Sequence, residues 1–124
     1  MEINIPAIVV EVTNAFMAYE RALSVNDVDT LDAYFWNSPI TLRYGPDGTL
    51  QGHEAISSFR RSRNIKGIDR KLRNTVITTF GTDFAVANTE SDRGGITNRQ
   101  SQTWVRMGDG WRIVSAHVSD KPGS

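Results

Sequence analysis

Apolar residues recur near the start of the chain at helical spacing. Ile8, Val12, Phe16, Tyr19 and Leu23 stand 4, 4, 3 and 4 residues apart, one stripe on a helix that Pro6 opens and that runs to about Ser24. Asn26 or Asp27 then caps a shorter helix with Val28, Leu31 and Phe35 inward, and Ser38-Pro39 stops it. Beyond Pro39 the period changes. Ile40 to Tyr44 reads as a strand, Pro46-Asp47-Gly48 as a turn and Thr49 to Gln51 as a short return. Gly52 opens a third helix with Ala55, Ile56 and Phe59 inward. Arg60, Arg61 and Arg63 close it, where unpaired carbonyls favour cations. After a loop around Lys66-Gly67, strand patterns cover Lys71 to Phe80 and Phe84 to Ser91, joined by a Gly81-Thr82-Asp83 turn. A Gly94-Gly95 turn leads into a long hairpin, Ile96 to Ser119.

Helices first, with one hairpin among them, then four successive antiparallel strands make an α+β pattern. The expected architecture is a cone: a curved antiparallel sheet with three N-terminal helices on its concave face and a pocket at the wide end. In the last hairpin, Asp109-Gly110 predicts a two-residue type I′ loop. Counting outward then sets Met107 against Arg112, Val105 against Val114, Thr103 against Ala116 and Ser101 against Val118. The opposite face carries Trp104 beside Ser115 and Gln102 beside His117. On this parity the small, apolar Ser101 face looks inward and the Trp104 face is a subunit contact. A one-residue bulge reverses the assignment.

Composition narrows the function classes. At 124 residues the chain suits one domain, and 39% hydrophobic against 23% charged residues excludes disorder. A net charge of +0 argues against a nucleic-acid binder or a polybasic membrane anchor. With no cysteine, disulfide scaffolds, thiolate metal sites and cysteine nucleophiles are excluded together. No apolar run approaches a membrane span. An acid stands near the N-terminus where a signal peptide carries basic residues, so a cytoplasmic protein is expected.

Four residues are candidates for chemistry. Tyr19 lies on the inward stripe of the first helix, so its hydroxyl needs a partner, whether as a satisfied core tyrosine or as part of a site. Arg43 alternates with Thr41 on one face of a short strand. Facing outward it is a solvated edge charge; facing inward, its guanidinium demands an anion, most naturally a carboxylate held by two parallel N–H bonds. Arg99 and Ser101 share the assumed inward parity and would add substrate-binding donors. The alternative is an exposed strand-end arginine and a small core residue. His53 and His117 read as structural, and no histidine–carboxylate spacing suggests a metal site. Neither a GxSxG elbow nor a phosphate-binding glycine loop is present. The basic run from Arg60 to Arg73 reads as a solvated face or as a funnel for small anions.

Four runs then resemble one family: YERAL (Tyr19 to Leu23), LDAYFWNSPITLRYG (Leu31 to Gly45), TVITTFGTDFAVANTE (Thr75 to Glu90) and RQSQTWVR with GWRIVSAHVS (Arg99 to Ser119). Together they resemble the AtzH/HpxZ-like proteins of oxalurate and cyanuric-acid breakdown, within the nuclear transport factor 2-like (SnoaL-like) superfamily. The resemblance implies the cone fold, a homodimer through the sheet or a dimer of dimers, and a cavity lined by Tyr19 and Arg43. It implies a small N-carboxylated urea or ureido acid as ligand, such as 1,3-dicarboxyurea or oxalurate. The first reading is an enzyme that decarboxylates or hydrolyses it without a cofactor, with Arg43 holding a carboxylate and Tyr19 donating a hydrogen bond or a proton. The other readings are a non-catalytic accessory module for an amidase-signature enzyme, or a steroid-isomerase-like proton transfer. The last lacks a visible base, since Arg43 and Tyr44 stand where the isomerases carry acids.

Overall fold

The computed structural model describes residues 1–63 and 70–122; the loop expected around Lys66-Gly67 lies outside them. Along the chain run α1 (Pro6–Ser24), α2 (Val28–Tyr34), β1 (Leu42–Gly45), β2 (Gly48–Gln51), α3 (His53–Ser62), β3 (Leu72–Phe80), β4 (Phe84–Arg93), β5 (Ile96–Met107) and β6 (Gly110–Pro122). The strands form one curled, unclosed sheet in the order β2-β1-β6-β5-β4-β3, with the helices on its concave side. This is the expected α+β cone. The sheet is not wholly antiparallel, however, because β1 pairs with β6 in parallel. The chain leaves the β1–β2 hairpin, crosses through α3 and returns along three strands before β6 lies beside β1. A long crossover of that kind is what a parallel neighbour requires.

The apolar stripe of α1 forms the roof of the core. Ile8, Val12, Phe16 and Tyr19 are buried there, with Ala22 one turn further on. Below them lie Ala85 and Ala87 of β4, Trp104 of β5, and Trp111 and Ile113 of β6. The alanines keep β4 low on its inner face, which leaves room for α1 and the Trp104 ring. Asp27 caps α2 by accepting from the Thr30 amide at 3.3 Å and from the Thr30 hydroxyl at 2.7 Å. Phe35 is buried as expected, but as extended backbone bridging to Ile113 rather than as a helical residue. Strand β1 starts at Leu42, not Ile40. The Thr41 hydroxyl donates to the Trp36 carbonyl at 2.8 Å, which holds the preceding residues in a turn and leaves Ile40 exposed.

The last hairpin departs from its expected register. Met107 pairs with Gly110, so the loop is Gly108-Asp109. Of Asp109 and Gly110 only Gly110 takes a positive φ, 124°, and a type I′ turn centred on the pair is therefore ruled out. A bulge follows between Thr103 and Trp104, where β6 has one extra residue. Beyond it Gln102 pairs with Ala116, Ser101 with His117 and Gln100 with Val118. The inward face of β5 is accordingly Trp104, Gln102 and Gln100, all buried, while Ser101 and Arg99 are exposed on the outer face. The assignment of Trp104 to a subunit contact is corrected: its ring is fully buried beneath the helices, edge-on to Tyr34.

Candidate functional site

A cavity of about 730 Å³ opens at the wide end of the cone. Its walls come from α1 (Tyr19), the residue after α2 (Phe35), the β1–β2 hairpin (Arg43), the end of α3 (Phe59, Arg60, Arg63) and the inner faces of β5 and β6. Register explains why Arg43 points inward. It pairs with Ala116, which is buried, whereas the flanking residues Leu42 and Tyr44 pair with Ser115 and His117 on the outer face. Tyr44 packs edge-on against His117 there, with ring centroids 5.5 Å apart. Thr41, on the Arg43 face, is fully buried, so the inward alternative for that strand is the one observed.

The Arg43 guanidinium lies over the Phe59 ring, 5.6 Å from its centroid. Among the described residues it has no hydrogen-bond or ion-pair partner. Its pKa is held below the ordinary value, chiefly by burial; Tyr19 and, more weakly, Asp47 oppose that shift, while the nearby charges of Arg60 and Arg63 add to it. Gly45 makes the position possible. A Cβ built there would stand 2.7 Å from Arg43 Nη1, so only the absence of a side chain lets the guanidinium occupy that space.

A second arginine completes the site, and the sequence reading missed it. Arg60 is 8% exposed, and its Nη2 donates to the Tyr19 hydroxyl oxygen. The guanidinium lies 5.6 Å from the Tyr19 ring centroid and 5.2 Å from that of Phe35. Its Nε is buried with no partner. Because the phenol oxygen accepts from Arg60, the phenol's own proton is left to donate elsewhere. The signal was the helical period: Arg60 follows Ile56 by one full turn, on the face that Ile56 and Phe59 already define as inward.

Arg70 differs from both. Its Nε and Nη2 bind the Glu20 carboxylate at 3.2 and 2.9 Å, and both side chains are nearly buried. Arg70 Nη1 also donates to Asn98 Oδ1 at 3.2 Å. Its charge is therefore balanced in place, whereas among the described residues no carboxylate is hydrogen-bonded or ion-paired to Arg43 or Arg60; Asp47 and Asp120 also line the cavity. Arg99 and Ser101 are not among the cavity-lining residues. Ser101 instead donates to Asn88 Oδ1 at 2.5 Å on the outer face, because the bulge reverses the parity on which both were placed. His117 is also outside, and His53 Nε2 lies 2.8 Å from the Asp32 carbonyl between α2 and α3. No group of three or more His, Asp or Glu side chains with metal-holding geometry occurs among the described residues, and no helix among them is long and apolar enough to cross a membrane.

Comparison with known proteins fits this fold. A crystal structure of a protein of unknown function from Pectobacterium atrosepticum is 52% identical, covering 96% of this chain and 94% of that one, with a TM-score of 0.92. A cystatin-like fold protein from Burkholderia xenovorans is 45% identical over 100% and 99% of the two chains, with a TM-score of 0.93. A nuclear transport factor 2-like superfamily protein from Salmonella enterica is 26% identical over 95% and 93%, with a TM-score of 0.71. No curated protein matches the chain. The AtzH-like family model matches residues 1–122, and the chain belongs to the AtzH-like family, within the cone-shaped nuclear transport factor 2-like fold.

Proposed function

We propose that this AtzH-like protein binds a small carboxylate in its cavity and decarboxylates or hydrolyses an N-carboxylated urea of the 1,3-dicarboxyurea or oxalurate type. One observation carries the reading: two guanidiniums, Arg43 and Arg60, flank the Tyr19 hydroxyl, while the buried carboxylate nearby, Glu20, is already bound to Arg70. Asp47, also in the cavity wall, acts on Arg43 only through space, and two partly enclosed cations with no hydrogen-bonded carboxylate are costly unless an anion joins them. In the decarboxylation, Arg43 holds one carboxylate through two N–H bonds. The bond between the departing carboxyl carbon and nitrogen breaks, its electron pair stays on nitrogen, and carbon dioxide leaves. Tyr19 supplies the proton that the nitrogen takes up, directly or through a water, and regains one from solvent. Arg60, donating to the same oxygen, stabilises negative charge on it during the transfer.

The test is turnover of 1,3-dicarboxyurea and oxalurate by the purified protein, against the spontaneous rate. Tyr19→Phe should lower turnover with little effect on affinity, and Arg43→Ala should lower both. Spontaneous rates throughout, with both variants matching wild type, would reject catalysis. A steroid-isomerase-like proton transfer is the less favoured reading, since Glu20 is committed to Arg70 and the cavity wall carries arginines and amides that suit a small anion rather than an apolar substrate.

We also propose that two copies associate through the outer face of the sheet. Val76, Phe84 and Tyr44 are 55%, 50% and 45% exposed on it, and the small Ser101 and Thr103 lie between them.

A further inference from the structure

Three amides line the inner face of β5 at alternate positions: Asn98, Gln100 and Gln102. Each has a neighbour of one-way polarity, and these neighbours fix which end of each amide is free. Asn98 has neither end free, because its oxygen accepts from Arg70 at 3.2 Å and its nitrogen donates to Asp120 at 2.9 Å. Gln102 accepts at 3.0 Å from the Trp104 indole N–H, which can only donate. The group it retains is its NH2. Gln100 points its nitrogen at the Glu20 carboxylate, 3.5 Å away, which can only accept. The group it retains is its carbonyl oxygen. Gln100 and Gln102 are buried, 8% and 2% exposed, and line the cavity.

Register ties this pair to the anion site. Arg43 pairs with Ala116 and Ala116 with Gln102, so the three form one row across β1, β6 and β5, all facing inward. Strands lie about 4.8 Å apart, which sets the Arg43 and Gln102 backbones roughly 10 Å from each other. Only the methyl group of Ala116 stands between them, and a flat ligand lying over it reaches both side chains.

We propose that Gln100 and Gln102 determine specificity, reading an amide or urea unit next to the bound carboxylate. Gln102 NH2 donates to the ligand carbonyl, and Gln100 Oε1 accepts from the ligand N–H. The inference rests on the carboxylate reading of Arg43 and adds to it a requirement for a ligand N–H. Glu20 and Trp104 act as positioning residues, each holding one amide in the orientation the ligand needs.

Oxamate and pyruvate test it. They share a carboxylate and an adjacent carbonyl, and differ by NH2 against CH3. In NMR titrations of the full chain, oxamate should bind about tenfold more tightly, the worth of one hydrogen bond that would otherwise leave a buried acceptor unpaired. Gln100→Met should bring the ratio close to one while pyruvate affinity stays within about twofold. Gln102→Met should weaken both ligands by about tenfold. Should either variant fail to fold, the wild-type ratio still decides. Equal binding of the two ligands by wild type, or a preference that survives Gln100→Met, overturns the assignment. If both bind equally and Arg43→Ala abolishes both, the amide reading alone falls. If neither binds, the carboxylate reading falls with it.

Discussion

Arg60 and Tyr19, 41 residues apart in the chain, meet in the cavity wall with the guanidinium donating to the phenol oxygen. Neither residue is paired with a carboxylate, and both are buried. The contact joins α3 to α1 and turns two unremarkable positions into a polarised unit. Tyr19 receives a hydrogen bond on its oxygen from a permanent cation and keeps its own proton for the cavity.

Arg60→Met should separate the two roles of that cation. A buried guanidinium without a hydrogen-bonded carboxylate opposes folding, and an apolar side chain of similar volume removes that desolvation cost. Lost donation to Tyr19 offsets part of that gain, by about 1 kcal/mol. Thermal melts are therefore expected to show a midpoint equal to or above that of wild type. Malonate, a small dicarboxylate, is expected to stabilise wild type by binding in the cavity, and that stabilisation should be largely lost in the variant. A variant that melts far lower, yet responds to malonate as wild type does, would make Arg60 a purely structural residue.

Much of the cone was legible in residue spacing. The α1 stripe, the β1–β2 hairpin and the order of elements follow from periodicity, because each period is set within a single element. The β5 parity was not legible, since it depends on where a turn closes and where a bulge falls, and each alters pairing by one or two residues. Gly108-Asp109 competes with Asp109-Gly110 for the same loop, and the stronger local signal was not the one the sheet adopts. Arg99 and Ser101 fell with that parity. Tyr19 and Arg43 did not depend on it, and the structure brings them to one cavity. Arg60 was hidden by an ambiguity of another kind: a cation at a helix C-terminus satisfies the dipole whether or not its head is buried.

Gly45→Ala probes the space beside Arg43. The added methyl would meet Nη1 at 2.7 Å, and the guanidinium, the far end of a flexible side chain, must move. Gly45 has no left-handed φ to preserve, so stability should stay within about 0.5 kcal/mol of wild type. Anion affinity should drop by about tenfold, as one charge-assisted hydrogen bond is misplaced. Unchanged affinity by calorimetric titration with malonate would show that Arg43 does not hold the anion in that position.

Glu20→Gln tests whether the Arg70 pair is a supporting ion pair of the cavity wall. The substitution keeps an acceptor for Arg70 Nη2 and removes the charge, leaving a nearly buried guanidinium uncompensated. Loss of about 3 kcal/mol in urea unfolding is expected. Saturating malonate should recover part of it, since an anion in the cavity partly replaces the missing charge. A loss below about 0.5 kcal/mol would show the pair to be no stronger than a solvated one.

Acid sensitivity should arise partly at the far end of α1. Glu11 accepts from the Trp111 indole at 3.0 Å and pairs with Arg106 Nη1 at 2.7 Å. Its carboxyl is held below its ordinary value, first by the Trp111 hydrogen bond and then by that of Arg106. A carboxyl depressed in the folded state adds stability above its unfolded value, and that share is lost as pH falls through the folded one. Wild type should therefore melt above Glu11→Gln at pH 7, with the gap closing below about pH 4. A gap that persists at pH 3 would assign the effect to packing rather than charge.

The outer face of the sheet yields the last prediction. Phe84 pairs with Val105 and Phe80, and Val76 pairs with Asn88, so apolar and small polar side chains share a surface that no helix among the described residues covers. The Asn88–Ser101 hydrogen bond, 2.5 Å long, already satisfies two polar groups within that surface, which lowers the cost of drying it. A weakly charged patch of this kind favours a second copy related by a two-fold axis, since the same residues then meet themselves. Phe84→Lys sets two cations near each other across such an axis, while each protomer keeps its core, because Phe84 faces away from Ala85 and Trp104. Light scattering after gel filtration should find wild type at twice the chain mass and Phe84→Lys at the chain mass, with malonate affinity retained in the monomer. A wild-type mass of one chain, or a Phe84→Lys protein that remains paired, would place the contact elsewhere or remove it. The retained affinity is the second half of the test: every residue assigned to the cavity comes from one chain, so separating the copies should leave the site intact.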